Sequence, residues 1–375
     1  MYVQPEIQNR LDTLFKDFTY ADPISENLID DKSYISISHE DFPVEAILLF
    51  TLHKICKFSS IYRWDKMHWG IVFKYKGIVN MISSHKFGLR IYSQKLNGST
   101  NHKEIINRLK KNIKFIETKI LAQYAEKQIN SSNFTIQNNF HKLDNQYMYF
   151  RYEAQKLFAK EITREDKDFT KVLSNYLRKK DWEIEAVYNA LSMIDSYFSR
   201  LEHILVLILP FAKKDSKYEI KKTIGQFWSE KYIEVLGCKG LSKKIYDNLI
   251  QIKEKYRNTF AHGGFEKKSQ SFHFHLEGYG AVPATMSDYK NSVHFTSTPL
   301  NEDKFIEIVK IFDELDRYIE ENLVAGWKFC QSGLDLIMDR SSLKNMLEVS
   351  QDPDNFEHWL QNENERLCNY INADY

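Results

Sequence analysis

The residues best suited to chemistry stand in one string, KYRNTFAHGG, running from Lys255 to Gly264. Asn258 and His262 are four apart, so a helix places them on one face, where the amide can hydrogen-bond the imidazole and fix its tautomer. Arg257 precedes His262 by five residues, which is about 140° around an ideal helix. It reaches the same place through its long side chain, a loosened final turn, or a second protomer. Together the three side chains suit cleavage of an RNA phosphodiester by its own ribose 2′-OH. A base removes the hydroxyl proton, an acid protonates the leaving 5′ oxygen, and a fixed cation stabilises charge on the phosphoryl oxygens. Imidazole titrates near neutrality and guanidinium is a rigid fork of phosphate donors, so His262 and Arg257 fit those roles. The chemistry calls for no metal or cofactor. The plainer alternative is a helix end where histidine complements the dipole and arginine pairs with a neighbour's carboxylate.

These residues need a helix to hold them, and the pattern supplies one. Leu241, Ile245, Leu249, Ile252 and Tyr256 form an apolar stripe running into Arg257, with Gly263 and Gly264 able to stop it. Leu191, Ile194, Phe198, Leu201, Leu205 and Ile208 form a longer stripe that ends at Pro210. A third, Phe305, Ile308, Phe312, Leu315 and Ile319, follows Asn301, which suits an N-cap. With a shorter segment near Tyr218–Leu236, this is the inventory of a four-helix bundle. The stretch from Gln270 to Thr298 breaks the helical rule by alternating apolar and polar residues, and reads as a β-hairpin or long loop inserted between two bundle helices. Its His273, His275 and Glu277 share a strand face, with His294 on the opposing arm. Such a set is able to hold zinc, but a polar hairpin face explains it as well, and no metal site is assigned.

The string RNTFAHG within a helical bundle resembles the HEPN superfamily, whose signature is an Arg, a polar residue that is often Asn, three further residues and a His. The resemblance covers about residues 180–325, including a long first helix with acidic residues beside its stripe, here Asp195 and Glu202. It implies a metal-independent endoribonuclease that forms a homodimer, sets two Arg/His pairs in one cleft and leaves a 2′,3′-cyclic phosphate. It also implies a toxin or antiviral effector under control of a partner domain, with Asp195 and Glu202 in support. The inserted hairpin lies outside the minimal bundle. Relatives regulated by adenylylation carry a Tyr where this chain has Gly264. A second Arg-x4-His match, Arg63 to His68, has neither the Asn nor a preceding helical stripe. The alternative from another class is a catalytically silent HEPN module that binds nucleotide or RNA, or a regulatory scaffold for a partner protein.

Upstream, Ile61–Ser93 is rich in β-branched and aromatic residues, and WGIVFKYKGIVNMISS reads as a hairpin turning at Lys76-Gly77. Residues from about 1 to 58 read as helical pieces around the apolar run Val44–Leu52, with Pro43 suited to a first helical turn. Residues 102–129 switch to helical period through Ile106, Leu109, Ile113, Ile116, Ile120 and Tyr124. Between Lys57 and Lys119 there are 14 Lys or Arg against three acids, whereas Gly333–Tyr375 holds nine acids and three bases. The basic stretch interleaves Tyr62, Trp64, Trp69, Phe73, Tyr75, Phe87 and Tyr92 with its cations, so RNA is the expected partner, with Arg108, Lys110, Lys111 and Lys114 as binding residues. Strand aromatics also serve simply as core.

The expected organisation is therefore a mainly α chain: an α+β N-terminal domain to about residue 140, acting as a sensor or RNA-recruiting module, a HEPN-like bundle over 141–330, and an acidic helical tail over 331–375. NSSNFTIQNN, at 130–139, is the linker. Four scattered cysteines without a CxxC pair argue against a disulfide framework or a cysteine zinc site. The longest apolar run, Ile204–Ala212, is too short to span a bilayer. A cytoplasmic location is expected.

Overall fold

The computed structural model describes residues 5–22, 29–61, 67–94, 102–160, 169–214, 220–258, 271–287, 292–294 and 300–372. The chain is mainly helical with an antiparallel sheet, and its contacts divide it into two units: Met1–Ser131 with Cys368–Tyr375, and Ser132–Leu367. No helix among the described residues is long and apolar enough to cross a membrane.

The first unit opens with α1 (Pro5–Leu14), β1 (Phe18–Tyr20), β2 (Ile29–Ser36), and α2 (Glu45–Leu49), which runs on as a π turn to Ile55. Val44 is the N-cap of α2, so Pro43 stands just before the helix rather than in its first turn. Strands β3 (Ser60–Ile61), β4 (Met67–Tyr75), β5 (Ile78–His85) and β6 (Gly88–Gln94) follow. The sheet order is β1-β4-β5-β6-β2, with β3 beside β4. Tyr75 pairs with Ile78 across Lys76 (φ 50°) and Gly77 (φ 84°), the two-residue left-handed turn whose twist matches a hairpin. Alternation then sorts the strands. Trp69, Ile71, Phe73, Tyr75, Ile82, Leu89 and Ile91 join one core, while Met67, Val72, Val79, Met81 and Tyr92 join another. The first core takes in Ile105, Leu109, Ile113, Ile116 and Ile120 from α3 (His102–Ile116) and the π turn Glu117–Leu121 that leads into α4 (Ala122–Asn130).

The second unit is built on one long helix. After β7 (Thr135–Ile136) and α5 (Phe140–Phe158), α6 runs from Phe169 to Lys213. Its stripe residues Ile194, Phe198, Leu201, Leu205 and Ile208 are buried. The helix does not stop at Pro210, as the sequence suggests, but continues three residues beyond it. A proline near the end forfeits a single backbone bond, and Phe211 is held by Phe329 and Phe356, with ring centroids 5.6 and 5.9 Å away. Arg200, buried on α6, lies 2.7 Å from Asp144 of α5 and donates through Nη1 to Asp316 at 2.9 Å. Four aromatic rings surround its guanidinium: Phe140, Tyr147, Tyr197 and Trp327. This clamp fixes the rotation of α6, and with it the face that carries Asp195, Phe198 and Glu202.

Next come α7 (Ile220–Ile224), α8 (Trp228–Leu236) and α9 (Gly240–Ile252), whose last turn is a π turn, Lys253–Asn258. Strands β8 (Ser271–Leu276), β9 (Gly280–Ser287) and β10 (Ser292–His294) form a separate antiparallel sheet in the order β10-β9-β8. Then come α10 (Glu302–Asn322), α11 (Val324–Ser332) and α12 (Arg340–Val349), with β11 (Leu336–Ile337) before the last, and α13 (Pro353–Asn372) follows. Asn301 caps α10 by accepting the Lys304 N–H at 3.1 Å. Residues after 331 are mostly helical, with β11 among them, yet Leu336, Met338, Leu343, Met346, Phe356 and Leu360 belong to the same core as α6. As far as Leu367 that segment is thus part of the second unit rather than an appended tail. Within its two helices the buried pairs Leu343/Met346 and Phe356/Leu360 are three and four apart, which puts each pair on one face, while Glu348, Asp352, Asp354 and Glu357 stay exposed.

Candidate functional site

Arg257 stands near the end of the π turn, a form in which each N–H bonds five residues back and residues five apart come to one side. The last turn before Gly263 and Gly264, where the sequence allows a loosened helix, lies outside the described residues. Asn258 closes the turn; its side chain, and all of His262, lie outside the described residues. Arg257 Nε donates to Asp195 Oδ1 at 2.7 Å, and its guanidinium lies 5.5 Å from the centre of the Phe198 ring. Its side chain is 26% exposed. Among the described residues neither Nη nitrogen has a hydrogen-bond partner, so the fork is held from its side and left open at its end.

Glu202 lies seven residues after Asp195 on α6, two helical turns along the same face. Its carboxylate is 3.8 Å from the ammonium of Lys231 on α8, whose side chain is only 6% exposed. Lys253, four residues before Arg257, sits 5.3 Å from the Trp228 ring centre. Phe198 and Trp228 pack edge-to-face at 5.2 Å, and both are buried. Two cations of one π turn therefore rest on two rings of one rigid aromatic pair, flanked by Asp195 and Glu202. Burial holds the Lys253 ammonium below its ordinary value; Arg257 adds to that shift and Glu202 opposes it. The structure brings Arg257 to Asp195, while Glu202 stands two turns along α6 beside Lys231 and acts electrostatically on Lys253. Lys253, Lys231 and Trp228 escaped the sequence reading. The four-residue spacing of Lys253 and Arg257 was a legible signal, whereas the approach of α8 was not.

The remaining expectations fall differently. Arg108 Nη2 donates to Asp17 at 2.7 Å and Lys110 Nζ to Asp41 at 2.6 Å, so these two cations brace the first unit internally. Lys111 and Lys114 are exposed on α3. Trp69, Phe73, Tyr75 and Tyr92 are core, which removes them as a base-stacking surface; Phe87 alone of the described set is open, at 87%. Tyr62, Trp64 and Arg63 lie outside the described residues. In the β8–β10 sheet, His273 faces Pro283 and His275 faces Ala281, while His294 pairs with Thr285 from the third strand. His294 is thus separated from β8 by the whole width of β9, not set across a hairpin from His273 and His275. Among the described residues no group of three His, Cys, Asp or Glu could hold a metal ion. Comparison with protein-family models, curated proteins and solved structures finds no match to this chain.

Proposed function

We propose that the second unit is a metal-independent endoribonuclease of the HEPN type. The observation that carries this reading is the side-on grip of Asp195 on Arg257. A carboxylate bonded at Nε fixes the guanidinium plane and leaves two end nitrogens for the phosphoryl oxygens of a substrate. In the reaction His262 takes the 2′-OH proton, the 2′ oxygen bonds to phosphorus, and the bond to the 5′ oxygen breaks as that oxygen is protonated. Arg257 stabilises the charge that builds on the phosphoryl oxygens. Asn258 holds the imidazole, and a second copy of the chain completes the cleft, as the resemblance implies. Asp195 is a positioning residue in this scheme.

The silent-module reading draws on the same contact, because an arginine that only braces two helices would also pair with Asp195. Incubating the purified protein with total cellular RNA in EDTA separates the two. Cleavage that disappears in Arg257→Ala and His262→Ala, with melting temperature retained, supports catalysis. No cleavage by the unmodified protein in any RNA sample favours the binding module.

A further inference from the structure

We infer that Lys253 is a second phosphate-binding residue, which takes the phosphate next to the one held by Arg257 in a single-stranded RNA. This rests on the nuclease reading and deepens it by giving the site a substrate class, a strand at least two phosphates long. Three observations support it. Lys253 and Arg257 are four apart on one π turn, so they are spaced by about 6 Å along the axis or slightly less, comparable to consecutive phosphates of one strand. Each rests on a ring of the buried Phe198/Trp228 pair, which restrains both side chains and lowers the entropy lost when a strand binds. Finally, the carboxylate that would otherwise neutralise Lys253 is diverted: Glu202 lies within 3.8 Å of the buried Lys231, while Lys253 has no ion-pair partner among the described residues. Among the described residues the Lys253 ammonium is therefore left without an ion pair on the same turn as the Arg257 guanidinium, whose end nitrogens have no partner there.

The test uses the full chain and a fluorescein-labelled oligouridylate methylated at every 2′ oxygen, which cannot be cleaved by 2′-OH attack. Affinity is measured from low to moderate salt for the unmodified protein, Lys253→Gln, Lys253→Arg and Glu202→Gln. Lys253→Gln is expected to weaken binding several-fold at low salt and to flatten the salt dependence by about 0.7 in slope, the loss of one phosphate contact on a single strand. Lys253→Arg should restore most of both, and Glu202→Gln should bind more tightly than the unmodified protein. Unchanged affinity and slope in Lys253→Gln would overturn the inference, as would equal losses in Lys253→Gln and Lys253→Arg, which mark a packing role. Cleavage of ordinary RNA is followed in parallel. Binding that depends on Lys253 without any cleavage sinks the nuclease reading alone, and cleavage with a silent Lys253 sinks this inference alone. Neither binding nor cleavage sinks both.

Discussion

The basic face of α3 and the π turn of α9 carry the same side chains to different ends. On α3, Arg108 spends an end nitrogen on Asp17 while its Nε finds no acceptor, and Lys110 is closed by Asp41. On the π turn, Arg257 is bound at Nε and, among the described residues, its end nitrogens have no partner. A count of charges ranks α3 higher, yet the internal acids decide which cation is left for a ligand. A cation serves recognition when its partner aims it and serves architecture when its partner terminates it.

Asp195→Asn is the sharpest way to test this contrast. Losing the aiming carboxylate should slow RNA cleavage about 100-fold, the scale expected when a reacting group is misplaced by roughly 1 Å. Because Asp195 is 62% exposed, thermal unfolding should barely move. The opposite outcome, a large loss of stability with cleavage intact, would make Arg257 a brace like Arg108.

Arg108→Ala should show the reverse pattern. Chemical denaturation is expected to find the first unit weakened by about 1 kcal/mol, and Asp17→Asn combined with it should add little, since the two share one interaction. A further contrast lies within α3. Substituting the exposed Lys111 and Lys114 together by Gln should reduce the slope of RNA affinity against salt by at most about 1.4, the equivalent of two single-strand phosphate contacts, whereas the paired Lys110 should change it little.

Much of the scaffold was legible because its signals are local. The stripe Ile194, Phe198, Leu201, Leu205, Ile208 needs only helical period, the Lys76-Gly77 turn needs only its backbone preference, and Asn301 needs only its position before α10. What escaped was decided by distant segments. Arg200 interrupts an apolar helix, and only Asp144 and Asp316 on two other helices make its burial tolerable. The run through Pro210 depends on Phe329 and Phe356, and the C-terminal segment reads as acidic until its apolar face meets α6. At the candidate site, Arg257 with Asp195 and Glu202 came from motif and resemblance. Lys231 and Trp228 arrive on α8, a placement that no spacing encodes.

The smallest effect expected concerns pH, and it separates the two units again. Burial lowers the imidazoles of His102 and His203 below the ordinary value of 6.5. His102 Nε2 lies 2.8 Å from Ser93 Oγ, and His203 Nε2 accepts the Asn139 N–H at the start of α5. Protons then bind more tightly to the unfolded chain, so this stability is complete above pH 6.5 and is lost as pH falls through the lowered folded values. Melting temperatures should decline modestly as the pH drops from about 7.5 to about 5. His203→Gln, which keeps an acceptor but does not titrate, should flatten the decline for the second unit only.

The central claim, that an aimed guanidinium and an imidazole break RNA through its own 2′-OH, is tested most directly by the chemistry of the fragment ends. RNA cut by the unmodified protein in EDTA should carry 2′,3′-cyclic phosphates and 5′-hydroxyls, and Arg257→Ala should yield none. Fragments ending in 3′-hydroxyl and 5′-phosphate, or cuts that persist in Arg257→Ala, would contradict it.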